Sequence, residues 1–597
     1  MKPLRIYLLV CGLFGLRLSL AAEITPALQQ EIDRAPEKNA PVRALVFLDE
    51  QVEIPALEQQ LSAMNVSPQQ RAYAVITALQ DKAAAAQRGI LSYLESLAAE
   101  GIMEYQSFWI ANMIRVETTP AVLQVLAARP EVALLDADPL LAIPAPAAQQ
   151  PALPVENGAE AGLKLINAHK MWEMGFRGEG RLVMNIDTGV EGTHPALAAR
   201  WRGNHVPASQ AWFDPAFGST FPNDCNNHGT HGMGIIAGLN PATQDTIGAA
   251  PAAEWIAAQT LCAFPHLSNT ILAFQWAMDP DGNPATIEDM PDVIAGFSDA
   301  TLIGCPAAIY HTVLNAVEAA GIAAVFPVGG AGPAAATIQG FGNINTSLVT
   351  AWATGSIDGF YSPLLPVTSF SSRGPSNCGG SGSLLIKPEA VAPGINIRSA
   401  ITGGGYAVWS GTAASSAHVA GAIALLKQAF PNKTGQELKL ALYLTARETP
   451  ADSAAHDPGE PAGETTGEDH NYGMGLIDVF AAFNYLQIPV GVEPPSPPGD
   501  FMLYPNYPNP FNPSTNLGFR IADRGFTRLE VFDVGGRKVA TLVERELPPG
   551  EHAFQWDGRN EAGEAVASGI YLYRLRVAIP GAAGGEYLQA RKMVLLR

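Results

Sequence analysis

The sequence predicts an α/β chain in three folded parts: a mixed α+β unit, a larger parallel-sheet unit and a β-rich C-terminal unit. Between residues 23 and 145 the patterns run strand, helix, β-rich stretch, helix, strand. From 160 to 488 strand and helix patterns alternate, as a parallel sheet with crossover helices requires. Beyond 501, short β-rich segments are divided by Gly turns. A length of 597 residues suits three or four domains, and 47% hydrophobic against 15% charged residues supplies a large core.

In the first unit, Val42–Leu48 reads as a strand. Gln69 to about Leu97 is rich in Ala, Leu and Gln and lacks Gly and Pro until Gly89, so it reads as one or two helices. Phe108–Val116 is β-rich. Thr119-Pro120 opens a short helix to Ala128, with Pro in its first turn. Val132–Leu135 is a final strand. The arrangement βα(β)βαβ is ferredoxin-like. The stretch from Ala142 to about Val155 holds Ala-Pro-Ala-Pro and Gln-Gln-Pro, an extended linker composition. Residues 489–500 hold Pro-Pro-Ser-Pro-Pro and read as a stiff linker before a unit at 501–597.

Lys+Arg 36 against Asp+Glu 56 gives a formal charge of −20, and no basic patch stands out. No nucleic-acid partner is therefore expected. Residues 1–22 read as a secretory signal peptide: a basic start at Lys2 and Arg5, an apolar run from Ile6 to Leu20, and small residues around Ala21-Ala22. Arg17 divides that run and leaves it short of a membrane span, so cleavage is expected rather than anchoring. Of 5 cysteines, Cys11 lies in the signal. Cys225, Cys262, Cys305 and Cys378 remain, an even set that permits two disulfides in three connectivities. No CxxC spacing supports a metal site, and no cofactor is expected.

Three segments carry chemistry: Val183-Met-Asn-Ile-Asp187-Thr-Gly189, His228-Gly-Thr-His231, and Ser410-Gly-Thr-Ala413-Ala-Ser-Ser416-Ala-His418-Val-Ala-Gly421. They resemble the catalytic stretches of the subtilisin-like serine proteases (subtilases, peptidase family S8), in that family's order Asp…His…Ser. The resemblance covers residues 160–488 and includes Phe370-Ser-Ser-Arg-Gly-Pro375, Lys387-Pro-Glu-Ala-Val-Ala-Pro-Gly394 and Tyr472-Gly-Met-Gly-Leu-Ile-Asp478. Local variants resemble the bacillopeptidase F-like branch. The resemblance implies that Asp187 orients His228, that His228 is the general base, and that His231 is structural. The spacing His228-x-x-His231 has no third ligand to complete a metal site.

Three departures from the family pattern follow. Its last motif runs Gly-Thr-Ser-Met-Ala-Ser/Ala-Pro-His-Val-Ala-Gly. Laid over it without a gap, Ala413 takes the serine position and Ala417 the proline position. A methyl group cannot attack a carbonyl. An α-helix turns about 100° and rises about 1.5 Å per residue. Ser415 is therefore roughly 200° and Ser416 roughly 300° around from residue 413, and neither takes over without a register shift. The family's oxyanion asparagine lies in Ala-Ala-Gly-Asn-x-Gly-Pro. Here Phe326-Pro-Val-Gly-Gly330-Ala-Gly-Pro333 puts Gly330 at that position, which removes a side-chain donor to the developing oxyanion. The cleft wall Val-Ile-Asn-x-Ser-Trp/Leu-Gly becomes Val293-Ile-Ala-Gly-Phe297-Ser298-Asp299, a change expected to narrow the first pocket.

The flanking units have resemblances of their own. Residues 23–145 resemble the inhibitory propeptide of subtilases, whose tail lies in the protease cleft. Residues 501–597, with Tyr504-Pro-Asn-Tyr-Pro-Asn-Pro-Phe-Asn-Pro513, Trp556-Asp-Gly-Arg559 and a terminal Arg591-Lys-Met-Val-Leu-Leu-Arg597, resemble the sorting domain of type IX secretion, an immunoglobulin-like β-sandwich. The expected partners are then the type IX machinery, the chain's own propeptide, and a peptide or protein ligand in the cleft. Subtilases often hold structural calcium, but no loop here carries an assignable Asp/Asn set. The expected protein is exported through the periplasm to the medium or cell surface. It is expected to be a catalytically silent subtilase homologue serving as a binding or structural module. The rival expectations are an active endopeptidase with an unexpected nucleophile, and a substrate-capturing decoy or inhibitor.

Overall fold

The computed structural model describes residues 22–35, 40–64, 66–99, 104–142, 148–153, 155, 157–296, 305, 308–380, 382–451, 469–487, 502–504, 506, 508–509, 511–521, 524–533, 538–566, 569–578 and 586–595. The signal-peptide segment, the Pro-rich linker 489–500 and cleft-wall residues Phe297, Ser298 and Asp299 lie outside the described residues. The chain divides into two compact units, residues 1–52 with 78–139 and residues 53–77 with 140–597. The first unit is therefore smaller than the continuous stretch 23–145 that the sequence suggests, because residues 53–77 join the larger unit.

The N-terminal region runs β1 (Glu23–Ile24), α1 (Pro26–Arg34), β2 (Val42–Leu48), α2 (Ile54–Ala63), α3 (Pro68–Ala86), α4 (Arg88–Ala99), β3 (Glu104–Phe108), β4 (Met113–Thr118), α5 (Pro120–Ala127) and β5 (Val132–Ala137). Its sheet has the order β1-β5-β2-β4-β3. The four strands β5-β2-β4-β3 are antiparallel to their neighbours and give the split βαβ order, while β1 adds a parallel edge. The long helical stretch is two helices. Between them the buried Gln87 donates to Phe108 O and Asn112 Oδ1 at 2.9 and 3.0 Å. The β-rich stretch is a hairpin turning at Asn112, which takes φ 39°. One face buries Ala44, Val46, Leu94, Ile114, Val116, Leu123 and Leu135 together.

The larger unit continues with β6 (Ala148–Ala152), α6 (Ala161–Leu165), α7 (Ala168–Glu173), β7 (Leu182–Asp187), β8 (Trp212–Phe213), α8 (His228–Ala237), β9 (Leu239–Asn240), β10 (Asp245–Thr246), β11 (Glu254–Gln259), α9 (Leu267–Met278), β12 (Val293–Ala295), α10 (Ala308–Ala319), β13 (Ala323–Pro327), β14 (Trp352–Ile357), β15 (Ala390–Pro393), β16 (Ile397–Ile401), β17 (Gly405–Ser410), α11 (Thr412–Ala429), α12 (Gly435–Leu444) and α13 (Val479–Gln487). Seven of these strands form one parallel sheet, β15-β14-β13-β12-β7-β11-β8. Strands β7 and β13 are buried at every position, as strands covered on both faces must be. The long helix α11 passes close to α8. A Cβ on Gly421 would lie 2.5 Å from Ala249 Cβ and 3.1 Å from Ile236 O, so the approach needs glycine there. This is the parallel-sheet α/β architecture expected from the sequence.

The C-terminal region forms two antiparallel sheets. One holds β18 (Met502–Leu503), β19 (Thr515–Ile521) and β22 (Gly550–Trp556). The other holds β20 (Gly525–Asp533), β21 (Lys538–Leu547), β23 (Gly569–Ala578) and β24 (Glu586–Leu595), in the order β21-β20-β23-β24. Alternate residues of β19, namely Leu517, Phe519 and Ile521, pack with Leu529, Val531, Trp556, Tyr573 and Leu575 in one core. That period of two is how a half-covered strand is built.

The four cysteines form Cys225–Cys262 and Cys305–Cys378, one of the three connectivities the sequence allows.

Candidate active site

Asp187 ends β7 at the carboxyl edge of the sheet, and His228 opens α8. The two meet: His228 Nδ1 lies 2.8 Å from both Asp187 carboxylate oxygens. Their side chains are 11% and 5% exposed, so the pair is nearly dry. Burial alone would push the imidazole down. The Asp187 carboxylate, with Asp224 behind it, outweighs that and holds His228 above the ordinary histidine range. A neutral imidazole here would donate from Nδ1 and present Nε2 as an acceptor, the arrangement a general base needs.

The chain around the pair is packed tightly. Gly189 takes φ +105°, and a Cβ there would lie 2.0 Å from Asn223 O. A Cβ on Gly229 would lie 2.0 Å from Gly189 O. Asp224 is a residue that the sequence reading missed. Its carboxylate accepts from Thr188 Oγ1, from the backbone N–H of Asn226, Asn227 and Thr230, and from Thr230 Oγ1, at 2.6–3.1 Å. It thereby covers the exposed donors at the start of α8 and ties them to the turn after Asp187. The signal was an Asp four residues before His228 at a helix start, the pattern of a capping residue. The disulfide Cys225–Cys262 fastens the same loop to the end of β11.

His231 is buried and stacks on Trp409, with ring centroids 4.4 Å apart and planes 8° from parallel. Burial pushes it down to about 3, and burial likewise pushes His418 of α11 down to about 4, so both are neutral core groups.

Ala413 is the second residue of α11 and is half-buried. It follows β17 and Gly411, which leaves the helix start without a side-chain cap. Ser415 and Ser416 are 0% and 1% exposed and turn inward, and neither hydroxyl has a hydrogen-bond partner among the described residues. A Cβ placed on Gly394 would lie 2.4 Å from Ser415 Oγ, which puts that hydroxyl in the packing beneath the helix. Gly330 lies on the loop after β13. Its N–H donates to Gln339 Oε1 at 2.8 Å, and a Cβ on it would meet nothing within 4 Å among the described residues. Thr412 Oγ1 donates to Gly329 O at 3.2 Å, a contact that brings the loop after β13 against the start of α11.

The linker is not free chain. Thr260 and Leu261, just past β11, donate to Asp187 O at 3.0 and 3.2 Å. A few residues on, Pro265 O accepts from Leu141 at 2.8 Å, and Leu140 bridges His266. The chain is next described at β6, which adds antiparallel to β17 with Ala148 opposite Ser410 and Ala152 opposite Tyr406. Arg398 then donates to Leu153 O and to Asp245, and Asp245 accepts from Val155 N at 3.0 Å. Within the stretch that the sequence reads as an extended linker, residues 148–152 form a strand of the larger unit.

Residues 178–475 match the subtilase family, and residues 514–579 match the FlgD Ig-like domain. Among curated relatives, bacillopeptidase F of Bacillus subtilis (strain 168) is 28% identical over 581 residues, covering 88% of this chain and 38% of its own length. Subtilisin E of the same organism is 27% identical over 324 residues, covering 54% of this chain and 70% of its own. The alkaline protease of Shouchella clausii is 26% identical over 399 residues, covering 66% of this chain and 84% of its own. The chain thus spans well under half the length of bacillopeptidase F.

Proposed function

Starting from a chain that is a subtilisin-like S8 peptidase homologue with a C-terminal Ig-like domain, we propose an exported pseudoprotease whose cleft binds extended peptide without cutting it. One observation carries the reading: Ala413 stands where α11 would present a nucleophile, next to an otherwise ordered Asp187–His228 pair. Gly330 supports it, because the side-chain donor to an oxyanion is missing from the same corner. The inward burial of Ser415 and Ser416 argues against a substitute nucleophile.

The first ligand of the cleft is the chain itself. The chain is tied at Leu141, which donates to Pro265 O on the Asp187 side, and at Ala148, which pairs with Ser410 on the Ala413 side. Residues 23–145 then act as a retained propeptide, and the protein serves as a surface-held structural or binding module. The β-sandwich at 501–597 is its sorting signal for type IX export after the signal peptide is removed. The decoy reading applies once an outside protease opens the linker. Purified protein assayed with casein, peptide esters and a fluorophosphonate probe tests the central claim. No turnover and no labelled serine are expected; labelling of any serine in a folded sample rejects it.

A further inference from the structure

Away from the cleft, one cluster among the described residues brings three metal-ligating side chains together: Cys305, His311 and Cys378. Their ligand atoms all lie within 4.8 Å of one another. The two sulfurs are joined as a disulfide, and His311 Nε2 is 3.6 Å from Cys305 Sγ. Cys305 is exposed, and His311 and Cys378 are half-buried. Among the described residues the other disulfide has no such third donor; Cys262 Sγ faces the carbonyl of Thr188 at 3.1 Å.

Two of the three groups are held by firm structure. His311 is in the first turn of α10, whose next residues pack into the core through Val313 and Leu314. Cys378 follows a loop pinned by Ser376, which donates to Asn343 O at 2.7 Å and accepts from the Cys378 N–H at 3.1 Å. Asn345 Nδ2 donates to Gly379 O at 2.7 Å just beyond. Cys305 is the exposed partner, free to be reached by a thiol. Two thiolates and an imidazole are the donor set of soft and borderline ions, with zinc–sulfur bonds of about 2.3 Å and zinc–nitrogen bonds of about 2.0 Å. Around such an ion the donor atoms stand roughly 3.3–3.8 Å apart, within the span observed. Only the two sulfurs must separate.

We propose that Cys305, His311 and Cys378 form a redox-gated zinc site, closed as a disulfide when oxidised and metal-binding when reduced. A dithiol reductant opens it. One reductant thiolate attacks a disulfide sulfur, the S–S bond breaks, and the displaced cysteine sulfur keeps the electron pair. The second reductant thiol resolves the mixed disulfide and leaves as a cyclic disulfide. Two electrons and two protons reach the protein. Zinc then displaces the two thiol protons to solvent and binds both sulfurs and the imidazole, with water in the fourth position. The cross-link between the start of α10 and the 376–380 loop is thus kept in either redox state.

The test uses the full chain, reduced with a dithiol under argon, freed of reductant and checked for retained folding by circular dichroism. Cobalt(II) is added, then zinc. One equivalent of cobalt with thiolate-to-metal charge-transfer absorption is expected, displaced by zinc. The His311→Ala variant should bind at least roughly tenfold more weakly, since even loss of a partner behind a ligand costs that much. The Cys305→Ser/Cys378→Ser variant, which keeps Cys225 and Cys262, should show no charge-transfer band. The proposal is overturned by a folded, reduced chain that takes up no metal, by bands that persist in the double serine variant, or by uptake seen only after unfolding.

Discussion

The cleft has two halves, and they differ in what holds their residues in place. Around Asp187 and His228, a methyl group added to Gly189 or Gly229 would meet a backbone oxygen at 2.0 Å. Asp224 gathers the donors of the α8 start, and Cys225–Cys262 fastens the loop. Around residues 330 and 413 there is room among the described residues: neither Gly330 nor Gly411 has a described atom within 4 Å of where a Cβ would stand. The first half is required by packing whether or not the chemistry runs. In the second half only the chemistry demanded particular side chains, so their replacement costs the fold little. An intact Asp–His pair therefore follows from packing and does not by itself imply activity.

The comparison is tested most severely by rebuilding the open half. Ala413→Ser alone is expected to give barely measurable hydrolysis. Ala413→Ser with Gly330→Asn should add roughly 10²-fold, the scale of one oxyanion donor; subtilisin, a relative, is itself the worked case for that magnitude. Kinetics on a peptide ester in linker-opened protein decide it, and equal rates for the single and double variants would show that position 330 does not face the reacting carbonyl. Next in size is the closed half. Gly189→Ala should destabilise by about 3 kcal/mol or more, through left-handed strain plus a backbone clash. Urea unfolding measures this, and a shift under about 1 kcal/mol would mean that the turn is looser than it looks.

Acid sensitivity comes third. His231 and His418 sit at about 3 and about 4, against 6.5 for an ordinary imidazole. As pH falls the unfolded chain takes up these protons first. The stabilisation is complete above pH 6.5 and is lost as pH falls to about 4 for His418 and about 3 for His231, on the order of a few kcal/mol for each residue. His418→Asn should flatten that slope in denaturant titrations at several pH values. His228 has the opposite sign: its raised pKa adds stability that is full below 6.5 and lost as pH rises through the folded value. Ring-proton NMR should find it titrating above 6.5 and moving down in Asp187→Asn. The smallest effect is Gly330→Asn by itself, expected within about 0.5 kcal/mol of the parent; a larger loss would mean that the corner is not open.

Much of this was legible in the sequence because the two period rules and the three motifs are local. Val42–Leu48 and the Asp187 strand end follow from runs of apolar residues, and His228 from its own short motif. What was not legible depends on distant partners. Asp224 gains its role from Thr188 and Thr230, and β6 exists because β17 offers an unpaired edge, which a composition of Gln, Pro and Ala does not announce. The cysteine pairing was open for the same reason. The assignment of residues 53–77 to the larger unit likewise reflects tertiary packing rather than any break in the sequence pattern.

Strand β6 also sets a concentration. A segment joined to its own docking edge through a short connection competes as though present at roughly millimolar level. Any free peptide that would take its place on β17 must exceed that level or bind correspondingly better. Affinities measured on the intact chain will therefore understate what the bare edge can hold, and a single cut in the linker will change the apparent affinity without altering one contact residue.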